Sequence, residues 1–223
     1  MNKTHFFRAY FPQMADFDED DMLAILKTCQ EREFVGWPGH GDTTILVQEM
    51  LSSDHHSTVM MWRGSQCFGV EASCHYGAER VPSIAFAVAR SLLWEGAPDK
   101  EELSRDLQNL FLRMCSELGA RYGHFYSDLT AESIDDLSQV LTAVVAETMP
   151  HQLFWLNYFS VDYFRKLGIH NVRHLPGSLE PVGDNGMVIT LSEHPWEPPV
   201  GPLDWREERP RKSRRRHRRQ SPK

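Results

Sequence analysis

The stretch 57-STVMMWRGSQCFGVEASCH-75, with 83-SIAFAVA-89 behind it, decides the fold. Ser57 to Arg63 and Cys67 to His75 both carry β-type residues, and the short turn Gly64-Ser-Gln66 between them predicts a hairpin. Ser83 to Ala89 comes after a turn containing glycine and proline and completes an antiparallel meander. Its alanines leave a helix open at that position, because periodicity alone does not separate the two.

Working outward toward the N-terminus, Phe6 to Phe11 alternates as a strand does, and Pro12 ends it. The run 16-DFDEDD-21 supplies an N-cap and a negative first turn, which suits the positive end of a helix dipole. Met22, Leu23, Ile25, Leu26 and Cys29 then recur at helical spacing, so a helix to about Glu33 is expected. Thr43 to Met50 stays open between strand and helix, since its start is β-branched and its end is not.

Toward the C-terminus, Asp99 opens an amphipathic helix through Leu103, Leu107, Leu110, Phe111 and Met114, which Gly119 stops. Tyr122 to Ser127 reads as a strand. Thr130 starts a helix through Ile134, Leu137, Val140, Leu141 and Val144 that ends before Pro150. An aromatic strand from Gln152 to Phe159, a short helix from Val161 to Leu167 closed by Gly168, and a strand from Met187 to Leu191 after the turn 183–186 complete the series. Strands interrupted by segregated helices, without regular βαβ alternation, predict an α+β fold: an antiparallel or mixed sheet with helices packed mainly on one face. The expected domain covers residues 1–197, and residues 198–223 have the Pro- and Arg-rich composition of a disordered tail.

The formal net charge of -7 conceals a division. Residues 204–223 hold ten Lys or Arg against three Asp or Glu, which leaves 14 basic and 28 acidic residues in positions 1–203. The body is therefore strongly acidic, which repels nucleic acid and attracts basic proteins. The Arg-rich segment 209–219 can touch phosphate backbones without reading bases, because no aromatic side chain interleaves its arginines.

Signals of chemistry are weak. No Gly-x-Ser-x-Gly elbow occurs, and Gly36 to Gly41 lacks the spacing and the lysine of a phosphate loop. Asp54-His-His56 and the pair His170 and His174 have no partners at metal-ligand spacing. Cys29, Cys67, Cys74 and Cys115 form no CxxC pair and sit in apolar surroundings; Cys67 and Cys74 are placed to face each other across a hairpin, but without a bridge in a reducing compartment. The expectation is no catalytic residue, no cofactor and no metal. The N-terminus has no secretory h-region and no stretch is apolar enough to span a membrane, so a cytoplasmic location without membrane contact is expected.

Contact residues for a protein partner are the better prospect. Asp18, Glu19, Asp20 and Asp21 on the first helix start, Asp135 and Asp136 on a later one, and Trp37 and Trp196 in loops combine charge with aromatic anchors. Trp62 and Trp155, inside predicted strands, read as core.

The strand 153-LFWLNYFS-160, the helix ending at Leu167-Gly168, and the closing unit 181-PVGDNGMVITLSE-193 with Pro195-Trp196 resemble the immunity-protein-fifty-two family of bacterial polymorphic toxin systems. The segment Cys74 to Ser83 and the opening strand are similar to it in placement, and the layout covers residues 4–197. The resemblance implies an α+β protein encoded beside a toxin with a restriction-endonuclease-like nuclease domain, often delivered by type VI secretion. It implies that the chain binds the basic surface of that cognate toxin in the cytosol and neutralises it. The Arg-rich tail departs from the family pattern. A second expectation, an adaptor or regulator whose basic tail binds nucleic acid, rests on that tail, and an unrecognised hydrolase or metal enzyme is the third.

Overall fold

In the computed structural model, the described residues are 4–12, 19–36, 57–73, 81–93, 97, 99–127, 132–150, 153–168 and 177–192. Their strands are β1 (Thr4–Tyr10), β2 (Val35–Gly36), β3 (Ser57–Arg63), β4 (Gln66–Ser73), β5 (Ser83–Ala89), β6 (Tyr122–Ser127), β7 (Leu156–Ser160), β8 (Ser178–Val182) and β9 (Gly186–Thr190). The helices are α1 (Glu19–Gln30), α2 (Arg90–Leu93), α3 (Lys100–Glu117), α4 (Glu132–Val145) and α5 (Val161–Leu167). The strands form one nine-stranded sheet in the order β2-β3-β4-β5-β1-β6-β7-β9-β8, with every pair antiparallel. This is the α+β architecture that the sequence predicts.

Ser83 to Ala89 is a strand, paired on both sides. Between two neighbours its backbone groups are fully used, and its alternation of Ile84, Phe86 and Val88 against Ala85 and Ala87 gives one bulky face and one small one. The β3–β4 turn is tighter than expected: Arg63 pairs with Gln66, leaving Gly64 and Ser65 at the tip, with Gly64 at φ 58°. Cys67 sits opposite Trp62 and β4 runs on extended to Ser73. The expectation that Cys67 and Cys74 face each other falls on position 74, which lies outside the described residues.

Period-2 alternation divides the core between the two sheet faces. Phe7, Phe11, Phe68, Phe86, Phe125 and Tyr158 meet α1 and α3 on the first face through Met22, Leu26, Leu107, Phe111 and Met114. Tyr10, Tyr122, Phe159 and Ile189 meet α4 and α5 on the second face through Val140, Val144, Tyr163 and Leu167. The larger set of helices thus covers one face, and a smaller set closes part of the other. Each fully buried large apolar side chain contributes about 1.5–3 kcal/mol relative to exposure, so the sheet position of each strand is strongly specified.

Close approach explains one glycine in particular. A Cβ on Gly123 of β6 would stand 2.6 Å from the Phe111 ring of α3, which lies directly on that strand. Gly119, at φ 70°, ends α3 as predicted. At the start of α3, Asp99 adopts φ 57° and its side chain makes no cap hydrogen bond, so its contribution there is the backbone turn.

Three elements were not visible in the sequence: β2, α2 and β8. The aromatic strand also begins later than predicted. Asn157 Oδ1 accepts from the Phe154 N–H (3.0 Å) and Asn157 Nδ2 donates to the Phe154 carbonyl (2.6 Å), which bends the chain before Leu156. The undecided segment 43–50 lies outside the described residues. Among those described, no helix is long and apolar enough to cross a membrane.

Candidate functional site

The predicted contact residues divide. Glu19 and Asp20 are exposed in the first turn of α1, with Asp21 half-buried beside them. Asp135 and Asp136 fall early in α4. The helix α1 packs on the first sheet face and α4 on the second, so the two acidic starts do not share a face. Asp18, Trp37 and Trp196 lie outside the described residues. Of the two tryptophans read as core, Trp155 is buried and donates its Nε1–H to the Ser192 carbonyl at 2.9 Å, whereas Trp62 is only half-buried.

On the first face, several arginines are already committed to carboxylates. Arg63 approaches Asp106 at 2.6 Å and Glu102 at 3.4 Å, and its guanidinium lies over the Phe34 ring. Arg113 bridges Glu31, just past the end of α1, and Glu117 of its own helix. Among the described residues, the exposed carboxylates Glu19, Asp20, Glu33 and Glu101 remain outside these pairs. Exposed pairs contribute little stability individually, and the exposed cations Lys27 and Arg105 share α1 and α3 with the carboxylates Glu19, Asp20 and Glu101.

The second face holds a polar centre that the sequence did not reveal. Arg8 on β1 donates to Ser83 Oγ at 3.2 Å and pairs with Glu71 at 3.5 Å. Beside it, His124 is fully buried among Tyr10, Tyr122, Tyr126 and Phe154, with its Nε2 3.4 Å from the Tyr10 hydroxyl. Tyr122 donates to Asn157 Oδ1 at 2.9 Å. Burial, with Arg8 nearby, pushes the His124 imidazole well below its ordinary value, and burial holds the phenols of Tyr10 and Tyr122 above theirs. Every shift favours the neutral form, which suits a packed interior rather than proton transfer near neutral pH.

The thiols behave alike. Burial pushes Cys29 up to about 12 and Cys115 well above its ordinary value, so neither supplies a thiolate at neutral pH. Among the described residues, no three His, Cys, Asp or Glu side chains converge as metal ligands would. The segments holding Asp54-His-His56, His170 and His174 lie outside the described residues.

Grooves open between the described elements. One, of about 740 Å³, runs between α3 and the β8–β9 hairpin; Gln108, Asn109 and Leu112 form one wall, Ser178, Glu180 and Val182 the other. The second, of about 480 Å³, lies at the start of α5, where Glu147 pairs with both Arg121 and Lys166, and the Lys166 hydrogen bond lowers the Glu147 carboxyl. The hairpin beside the larger groove carries Glu180 and Asp184, both exposed, and no Lys or Arg occurs from residue 175 to 203. Its signal in the sequence was that uninterrupted absence of cations. No protein-family model matches this chain, and no curated protein or solved structure shows significant similarity to it.

Proposed function

We propose that this chain is an immunity protein that binds a cognate secreted nuclease in the cytoplasm and neutralises it by covering its DNA-binding surface. The observation that carries the proposal is the charge division, with 28 acidic and 14 basic residues in positions 1–203. A nuclease must present cationic surface to hold DNA. An acidic partner competes with the phosphate backbone for that surface, and long-range attraction accelerates the encounter. The burial of Cys29, Cys115 and His124 supports a role for this chain as a binder, because these described groups are withdrawn while Glu19, Asp20 and Glu180 are exposed. The resemblance of residues 153–196 to the immunity family points the same way.

The test is a rescue experiment. Cells expressing the nuclease domain encoded next to this chain should die without it and survive with it, and the two proteins should co-purify at one-to-one stoichiometry. Continued killing at matched expression would overturn the proposal.

A second reading is favoured by the ten Lys and Arg of residues 204–223: an adaptor that holds nucleic acid with its tail and a protein with its body. Deleting residues 206–223 separates the two. Protection retained after deletion supports the immunity reading; joint loss of nucleic-acid binding and of function supports the adaptor.

A further inference from the structure

Strand β8 closes one end of the sheet, and the direction of its open backbone groups follows from the bonds further in. Leu191 N–H donates to the Trp155 carbonyl and Val161 N–H to the Asn185 carbonyl, so the odd-numbered residues of β9 bond toward β7. The even-numbered ones, Gly186, Val188 and Thr190, therefore bond toward β8, where they meet Val182, Glu180 and Ser178. Leu179 and Pro181 are left with their backbone groups turned away from the sheet. The edge thus offers one N–H and one C=O at Leu179 and a single C=O at Pro181, which has no N–H to give. It is accessible: Leu179 is 46% exposed, and Ser178, Glu180 and Pro181 are exposed with it.

Side-chain alternation fixes what an added strand would meet. Glu180 pairs with Val188, a residue of the first-face core, so Glu180 stands on the side of the α3 groove. Leu179 pairs with Ile189 and stands on the other side. Arg113, which also lines the groove, is held by Glu31 and Glu117 and leaves the Glu180 carboxylate available to another cation.

We infer that the β8 edge and the adjoining groove take an extended segment of the cationic partner by antiparallel strand addition, with a Lys or Arg opposite Glu180 and an apolar residue opposite Leu179. This inference rests on the proposed binding of a basic protein and names where that protein is gripped. Main-chain bonds at Leu179 and Pro181 supply affinity, and the Glu180 pairing supplies selection by charge. Pro181 limits the register, because only a partner N–H can bond there.

The test uses the full chain and two seven-residue peptides, one alternating lysine with valine and one with glutamate in place of each lysine. Amide exchange and chemical shifts are followed by NMR. The lysine peptide should slow exchange of the Leu179 amide, shift resonances at residues 178–182 and 108–113, and bind at least tenfold more tightly than the glutamate peptide. Glu180→Lys should reverse that preference, and Leu179→Pro should abolish binding while circular dichroism and thermal midpoint stay unchanged. Should Leu179→Pro not fold, Glu180→Lys decides alone. Shifts confined to other surfaces, an unchanged peptide preference in Glu180→Lys, or Leu179 protection that rises with the concentration of the chain alone, as pairing with a second copy would give, each overturn the inference. If both variants still protect cells from the nuclease as well as the parent does, the edge assignment fails while the immunity reading stands. If the parent itself fails to protect, the reading beneath it fails.

Discussion

The interior of the second sheet face and the β8–β9 hairpin use polar residues in opposite ways. Inside, Arg8, His124, Tyr122 and Asn157 are enclosed and tied to named partners, with the half-buried Glu71 paired to Arg8. At the hairpin, Glu180 and Asp184 stand exposed beside an open backbone edge and a groove. Residue types that look like catalytic machinery are thus committed to holding the sheet together, whereas plain carboxylates on a short edge strand are the groups a partner can reach. Burial, not residue type, separates scaffold from surface here.

Four experiments strain that contrast. The largest effect is expected from Arg8→Met, which removes a buried guanidinium from Ser83 and from the half-buried Glu71; stability should fall by about 3 kcal/mol, the upper end for hydrogen bonds to a charged group. Urea unfolding measures it, and adding Glu71→Gln should restore part of the loss. Next comes Asn157→Ala, which strips a partner from the Tyr122 hydroxyl and from both backbone groups of Phe154, at a cost of about 2–3 kcal/mol by the same method.

The pH dependence of stability is smaller per step. Burial holds His5 down at about 4 and His124 well below its ordinary value, so the unfolded chain binds protons that the folded one refuses. Stability contributed by these groups is complete above the ordinary histidine value of 6.5 and is lost as pH falls from there toward 4, by about 1.4 kcal/mol per pH unit for each histidine. Chemical unfolding at several pH values should show this fall, and the slope should flatten in His5→Phe. The smallest effect on stability belongs to Glu19→Lys with Asp20→Lys, about 1 kcal/mol, because both side chains are exposed but the reversed charges oppose the dipole at the start of α1. Their effect on association should be larger: roughly a tenfold slower on-rate with the cationic partner and a shallower salt dependence, read by stopped flow.

Much of the sheet was legible because burial alternates along its strands. Phe7 and Phe11, Ile84 and Phe86, and Leu156 and Tyr158 mark the first face at every second position, and the helix α3 shows its stripe from Leu103 to Met114. What the sequence concealed lies where alternation carries no information. Strand β8 contains Glu180 and Pro181 and buries none of its residues, so it has no apolar face to display. Arg8 and His124 occupy positions where a one-sided sheet would put solvent-exposed residues, and only the packing of the second face reveals them as interior. The acidic starts of α1 and α4 are alike in sequence yet belong to helices on opposite faces, because sequence distance says nothing about which face a helix takes.

The central claim is that an anionic body masks a cationic enzyme. The most direct measurement mixes the purified chain with the nuclease that the proposal assigns as its partner and follows DNA cleavage against molar ratio at rising ionic strength. The account predicts that cleavage ends at one equivalent and that the rate of inhibition falls steeply with salt. Cleavage that persists at tenfold excess, or inhibition whose rate ignores salt, contradicts it.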